Sequence, residues 1–139
     1  MVTVKNSNGY ETFITAGSYE LKADEPLESG GTGMGPTPYD LLLSALGACT
    51  AMTMRMYAER KKLSLEAMTI TLNHDKIHAE DCENCETKVG KLDRIIIKIS
   101  FTGNLSEDDK TKLMQISEKC PVHRTLTSEI KIESVMNES

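Results

Sequence analysis

The sequence of 139 residues has little cysteine, no surplus of positive charge and no long apolar run. Its four cysteines, Cys49, Cys82, Cys85 and Cys120, are too few and too unevenly spaced for the disulfide framework of a small secreted domain. A chain of this length can bury enough apolar surface to fold without such cross-links. We therefore expect one domain over residues 1–139, in which the cysteines have another task.

Three further features are absent from the sequence, and each excludes a class of partner or a location. Sixteen Lys and Arg against 21 Asp and Glu give a net charge of −5, which is unsuited to DNA phosphates, so we expect no nucleic acid partner. No basic stretch followed by an apolar segment begins the chain, so no signal peptide is expected and a cytoplasmic location is predicted. The longest segment without a charge, 41–54, is shorter than the ~20 residues that cross a bilayer, so we expect no membrane partner.

Turn signals divide the first 24 residues into three short strands. Asn8-Gly9 and Gly17-Ser18 are dipeptides typical of hairpin turns. The next segment, 23–37, holds four glycines and two prolines, and we expect a mobile loop without a regular element. It lacks the Gly-Lys-Ser/Thr of a phosphate-binding loop, and no Gly-x-Ser-x-Gly elbow of a serine hydrolase occurs in the chain.

A long helix is predicted after this loop. Thr37 can cap it, Pro38 suits its first position and Asp40 completes a capping box. We expect the helix to end near Lys62. Its first half is apolar on every side and therefore requires cover all round. Because one small domain rarely surrounds such a helix, we expect a homodimer with this helix in or near the interface.

The remaining elements are predicted from alternating apolar residues and from capping residues. Two long strands are predicted at 68–72 and 95–101. A second helix is predicted to begin with a cap at Ser106 and to end at Pro121, and a last short strand is predicted at Ile130 and Ile132. The predicted fold class is α+β, in the order β-β-β-α-β-β-α-β.

Cys49 and Cys120 carry the first chemical signal. Taken alone, each is typical of a small buried hydrophobic residue. Cys120, however, stands at a helix end beside His123 and Arg124, which are cations of the kind that stabilise thiolates. Two such thiols together suggest redox chemistry.

A second cluster, His74, His78, Cys82 and Cys85, offers within twelve residues the ligand types of a tetrahedral zinc site. A redox-active or labile dithiol is another interpretation, and a solvated loop is a third. The carboxylates of the same segment would disfavour thiolates by like-charge repulsion but attract a metal. The cluster is left open between metal ligands, a disulfide and free thiols.

Two segments together resemble the OsmC/Ohr family of thiol peroxidases: GPTPYDLLLSALGACT at 35–50 and CPVHR at 120–124. The resemblance covers nearly the whole chain and is strongest to a branch with a His-x3-Cys-x2-Cys segment between the two long strands. It implies an OsmC-like fold and an intertwined homodimer with two active sites at the subunit interface.

The resemblance also implies roles for the first two cysteines. Cys49 would attack an organic hydroperoxide and become a sulfenic acid, and Cys120 would resolve it to a disulfide. A dithiol such as a lipoyl group would reduce that disulfide, and no cofactor is expected. The implied activity is a thiol-dependent hydroperoxide reductase of oxidative stress defence.

One departure from the family pattern concerns the activating cation. Family peroxidases hold the thiolate with an arginine upstream of the first cysteine, paired with a glutamate, but no arginine here precedes Arg55. We predict that His123 or Arg124 stabilises the thiolate instead, with Asp40 near the position of the missing glutamate. Two alternative functions follow: a non-catalytic protein that binds small molecules or senses redox state, and a metal-loaded thiol protein.

Overall fold

The structure is a computed structural model that describes residues 1–137. The chain divides into two compact units, residues 1–44 and a second unit that begins at Ala45. The expectation of a single domain stays a prediction.

The first unit contains a three-stranded antiparallel sheet in the order β1-β2-β3. The predicted turns are present: Gly9 and Gly17 adopt φ values of 62° and 63°, which favour glycine. The three predicted strands are thereby confirmed, with these bounds: β1 Val2–Asn6, β2 Thr12–Ala16 and β3 Tyr19–Ala23.

The glycine-rich loop is organised by a buried carboxylate. Asp24 is only 2% exposed and accepts hydrogen bonds from the Thr32 hydroxyl at 2.7 Å and the Met34 amide at 3.1 Å. These bonds, the Thr32 hydroxyl first, hold the pKa of Asp24 below its usual value. The expectation of a loop without any regular element was wrong at Leu27–Ser29, which forms a 3-10 turn.

The helix α1 spans Pro38–Arg60 and begins as predicted. The Thr37 hydroxyl accepts from the Asp40 amide at 3.1 Å, while the Asp40 carboxylate accepts from the Thr37 amide at 3.0 Å. This reciprocal pair is the capping box. The helix ends close to the predicted Lys62, which itself turns the chain with a φ of 57°.

The second unit is built on a long antiparallel hairpin of β4 (Ser64–His78) and β5 (Lys91–Asn104). Both predicted long strands are confirmed. Residues of α1, of this hairpin and of the next helix share an apolar core, whose buried members are Met54, Ala58, Leu65 and Leu113. A Cβ on Gly47 would lie 2.8 Å from a methyl carbon of Leu72, so α1 and β4 approach closely there.

The helix α2 spans Glu107–Ser117 and begins with the predicted capping box of Ser106 and Asp109. The expectation that Pro121 ends this helix was wrong. Pro121 is instead the first residue of a short helix, α3 (Pro121–Leu126). The missing N–H of proline leaves no bond unmade at a first helical position, which explains why it starts a helix here.

The last predicted strand, at Ile130 and Ile132, was also wrong: residues 127–137 form no strand. A strand requires a neighbour to satisfy its backbone groups. None pairs with this segment within the described chain, and Ile132 is 84% exposed. The α+β class and the remaining element order are confirmed.

One side of α1 is exposed to solvent in the part of the chain that the structure describes. The helix α1 is long and apolar enough to cross a membrane, but the core helix of a soluble protein meets the same criterion. Only 28% of the most apolar 18-residue window of α1 is buried. Ala45, Ala48, Met52 and Met56 are exposed at spacings of three and four residues, and we call them the apolar stripe.

Candidate active site

The thiols of Cys49 and Cys120 meet in the second unit. Cys49 lies on α1 and is partly buried, whereas Cys120 is fully buried in the connection between α2 and α3. Both are free thiols, and they lie close enough for each to affect the pKa of the other. Packing of α1 against the second half of the chain therefore joins two residues that are far apart in the sequence.

Cys120 is also the N-cap of α3. Its sulfur accepts a hydrogen bond from the backbone amide of His123 at 3.3 Å. The first amides of a helix have no partner within the helix, so a side-chain acceptor at the cap satisfies one of them. The backbone amide of Val122 also helps to lower the pKa of this thiol. The cap thus surrounds the Cys120 sulfur with donors that favour negative charge.

The two thiols differ in their tendency to ionise. Burial raises the pKa of Cys49, and its hydrogen bond to Cys120 raises it further. Burial would also raise the pKa of Cys120, but hydrogen bonds from Cys49, the His123 amide and the Thr50 hydroxyl outweigh burial and lower it. These opposite directions favour Cys120 over Cys49 as the residue that carries a negative charge when one of the two thiols ionises.

Thr50 is a site residue that the sequence analysis missed. It is fully buried, and its hydroxyl donates to the carbonyl oxygen of Leu46 at 2.7 Å. A hydroxyl has one proton, so it can donate either to this carbonyl or to the Cys120 sulfur. A threonine beside a cysteine carries no distinctive signal in the sequence; only the position of Cys120 reveals its role.

The other predicted site residues lie in three different settings. His123 approaches Cys120 through its backbone amide, and Arg124 is exposed while its amide donates to the Cys120 carbonyl oxygen at 3.1 Å. The Asp40 carboxylate is engaged in the cap of α1. The thiolate-stabilising roles assigned to these three side chains stay predictions.

Arg55, the first arginine of the chain, is committed to the backbone of β4. Its guanidinium donates to the carbonyl oxygens of Leu65 and Glu66 at 2.6 and 3.0 Å. These bonds lie at an irregularity in the strand pairing between Leu65 and Ala67. Arg55 therefore supports the bulged end of the hairpin.

A groove of about 560 Å³ runs beside α1. Met52 on its wall lies one helical turn from Cys49. The groove is mostly apolar and also contacts β4; its lining comprises Ala51, Met52, Arg55, Met56, Glu66, Ala67 and Met68.

The second cysteine cluster forms a disulfide. Cys82 and Cys85 are bonded to each other, with their Cα atoms 5.6 Å apart. His74 bonds to Asp93 at 2.8 Å. In residues 1–137 no group of three or more His, Cys, Asp or Glu side chains is arranged to hold a metal ion. Of the interpretations left open for this cluster, the disulfide is the one present.

The family model of OsmC-like proteins matches residues 31–135. This chain belongs to the OsmC-like family. The match includes both Cys49 and Cys120, as the resemblance of their two motifs predicted. No curated protein sequence matches the chain.

Solved structures share the fold of this OsmC-like protein. An OsmC-like protein from Mycoplasma pneumoniae is 19% identical with a TM-score of 0.72, covering 91% of this chain and 85% of its own. An organic hydroperoxide resistance protein OsmC from Legionella pneumophila is 22% identical with a TM-score of 0.65 (91% and 88%). The organic hydroperoxide resistance protein OhrB of Bacillus subtilis is 17% identical with a TM-score of 0.61 (91% and 90%).

Proposed function

We propose that this OsmC-like protein is a cysteine peroxidase that reduces organic hydroperoxides. The observation that carries the proposal is that Cys49 and Cys120 are both free thiols and lie close enough to affect each other's pKa. A peroxidatic thiol and a resolving thiol must be in contact to form a disulfide without a large movement. The hydroperoxide resistance of the Legionella and Bacillus relatives supports the choice of substrate.

The thiol pair replaces the missing arginine. Cys49 is the attacking residue because it is partly exposed, whereas Cys120 is buried. The Cys49 proton passes to the neighbouring Cys120 sulfur, which leaves the reactive thiolate on Cys49. The amides of Val122 and His123 lower the pKa of Cys120 and so favour a negative charge on the pair.

The reaction then proceeds in two balanced steps. The Cys49 thiolate attacks the hydroperoxide, the O–O bond breaks, and the alkoxide takes the proton from Cys120 to leave as an alcohol. Cys49 is now a sulfenic acid and Cys120 is a thiolate. Attack of this thiolate on the Cys49 sulfur forms the disulfide and releases hydroxide. A dithiol such as a lipoyl group returns the pair to its reduced form.

A homodimer completes the site in this proposal. The apolar stripe of α1 is exposed in one chain, and a second copy of the same helix is the natural cover for it. The partner would close the groove beside Met52 and give it an apolar wall. Such a pocket favours an organic hydroperoxide over hydrogen peroxide, and reduction by a cellular dithiol fits a cytoplasmic location.

Mass spectrometry tests the proposal directly. A C82S/C85S variant isolates the Cys49 and Cys120 pair, and one equivalent of cumene hydroperoxide should remove two hydrogens from it. Adding C120S should trap a sulfenic acid on Cys49 that dimedone labels. An unchanged mass in both experiments would contradict the proposal.

A redox sensor is the second candidate, because burial raises the pKa of Cys49. Turnover separates the two functions. A peroxidase consumes many equivalents of cumene hydroperoxide in the presence of a reduced lipoyl compound. A sensor consumes one equivalent and stays oxidised.

A further inference from the structure

The Cys82 and Cys85 disulfide lies at the tip of the β4–β5 hairpin, away from the proposed peroxidase chemistry. Strand pairing ends at His78 and Lys91, and the Ala79 amide closes the tip by donating to the Gly90 carbonyl at 2.8 Å. Both cysteines are partly exposed. Because the bond encloses only two residues, it constrains the unfolded chain less than a disulfide between distant residues. A structural role thus accounts poorly for it.

The charges around this disulfide favour its dithiol form as an electron donor. Four carboxylates adjoin the two cysteines in the sequence, namely Glu80, Asp81, Glu83 and Glu86. Like charge destabilises thiolates, and a couple whose reduced form is destabilised is more reducing.

The opposite holds at the active site. The His123 amide donates to the Cys120 sulfur at 3.3 Å and so stabilises the reduced pair. A couple whose reduced form is stabilised is the stronger oxidant. Electrons would therefore flow from the hairpin tip to the Cys49 and Cys120 disulfide.

The two couples are far apart within one chain. Gly47, two residues before Cys49, packs against Leu72 of β4. From Leu72 the strand continues for six residues to His78, which is about 20 Å at ~3.3 Å per residue. The tip cannot reach the thiols of its own chain across this distance.

We propose that Cys82 and Cys85 form a second redox couple, which takes two electrons from an external dithiol and delivers them to the Cys49–Cys120 disulfide of another copy of this chain. Its cellular role as a reductant of the active site rests on the proposed peroxidase function. The exchange itself can be tested without any peroxide.

The exchange has a defined direction. One tip thiolate attacks the Cys49 sulfur, because Cys120 is fully buried. The Cys49–Cys120 bond breaks, and Cys120 leaves as a thiolate that its cap amide stabilises. The second tip thiol then attacks the mixed disulfide, which releases Cys49 and restores the Cys82–Cys85 bond. The two protons of the tip dithiol end on Cys49 and Cys120.

Two complementary variants test this transfer. The acceptor is C82S/C85S with its remaining pair oxidised by diamide, and the donor is C49S/C120S reduced with dithiothreitol and then desalted. After anaerobic mixing, acid quenching and alkylation, mass spectrometry should show one acceptor disulfide lost for each donor disulfide formed. A donor that also carries C85S should stop at a mixed disulfide with Cys49. Circular dichroism before mixing verifies that each variant is folded.

A charge variant provides the matched control. Adding E83Q and E86Q to the donor should make its couple less reducing and shift the equilibrium toward the oxidised acceptor by several-fold. The proposal would be overturned if no electrons passed between folded donor and acceptor. It would also be overturned if the donor that carries C85S, with Cys82 alone, reduced the acceptor disulfide as completely as the donor with both tip cysteines. Because diamide replaces the hydroperoxide, a failed peroxidase assay would leave this result unaffected.

Discussion

The Cys120 sulfur accepts a hydrogen bond from the backbone amide of His123 at 3.3 Å and lies beside the free thiol of Cys49. This relationship sets the two pKa values in opposite directions, with Cys49 raised and Cys120 lowered. A helix cap thereby supplies favourable electrostatics to the Cys120 sulfur.

Thr50→Val should weaken the stabilisation of the thiolate. The hydroxyl that lowers the pKa of Cys120 is removed while the shape is kept, so the pair should ionise at higher pH. In a C82S/C85S background, iodoacetamide alkylation at pH 7 should be about threefold to tenfold slower, since the net contribution of one hydrogen bond is roughly 0.5–1.5 kcal/mol. A pH profile of the alkylation rate measures the change.

Thr111→Val is the control for this prediction. The Thr111 hydroxyl donates to the Glu107 carbonyl four residues earlier, as Thr50 does to Leu46, but it lies on exposed α2. It should leave the alkylation profile unchanged. Equal profiles for both variants would rule out the role assigned to Thr50.

Met56→Glu should separate the proposed homodimer. Met56 is 70% exposed on the apolar stripe, and a second copy would bury the new carboxylate without a partner. We expect the dissociation constant of the dimer to rise by about 100-fold or more. Analytical ultracentrifugation measures it. Met114→Glu, at a 42% exposed methionine of α2, should leave the mass unchanged. A Met56→Glu protein with the same dimer affinity as the unaltered chain would contradict this placement of the interface.

Asp24→Asn should alter acid stability. The folded protein holds the pKa of Asp24 below its usual value, so its contribution is present above about pH 4 and is lost as the pH falls through the folded pKa. The variant should have a lower thermal midpoint than the unaltered protein at pH 7. Its midpoint should also decrease less as the pH is lowered. Asp108→Asn, at an exposed ion pair of α2, is the control and should behave like the unaltered protein. Parallel midpoint curves for Asp24→Asn and the unaltered chain would refute the prediction.

Leu113→Ala should destabilise the second unit. Its side chain is fully buried in the core, so truncation should cost about 2–5 kcal/mol in free energy of unfolding. Leu27→Ala, at a 75% exposed site, should change that free energy by less than about 0.5 kcal/mol. Urea denaturation measures both values. If Leu113→Ala lowered the free energy of unfolding by less than about 1 kcal/mol, the core around Leu113 would not be closely packed.

Elements with local signals could be predicted from the sequence alone. The turn glycines, the capping box of Thr37 and Asp40, and the alternation of β4 and β5 depend on residues within a few positions of one another. The two cysteine motifs identified the family in the same way. Predictions failed where the local pattern lacked its partner: Ile130 and Ile132 alternate like a strand, yet no strand pairs with them in the described chain.

The arrangement and the ionisation of the two thiols follow from tertiary packing and could not be predicted from the sequence. Cys49 and Cys120 meet because α1 packs against the later elements, and no spacing rule connects residues so distant in the sequence. The same packing buries Thr50 beside Cys120 and aims the His123 amide, rather than a predicted cation, at the sulfur. Ionisation depends on burial and on hydrogen-bond donors in three dimensions, and a sequence specifies these only once it has folded.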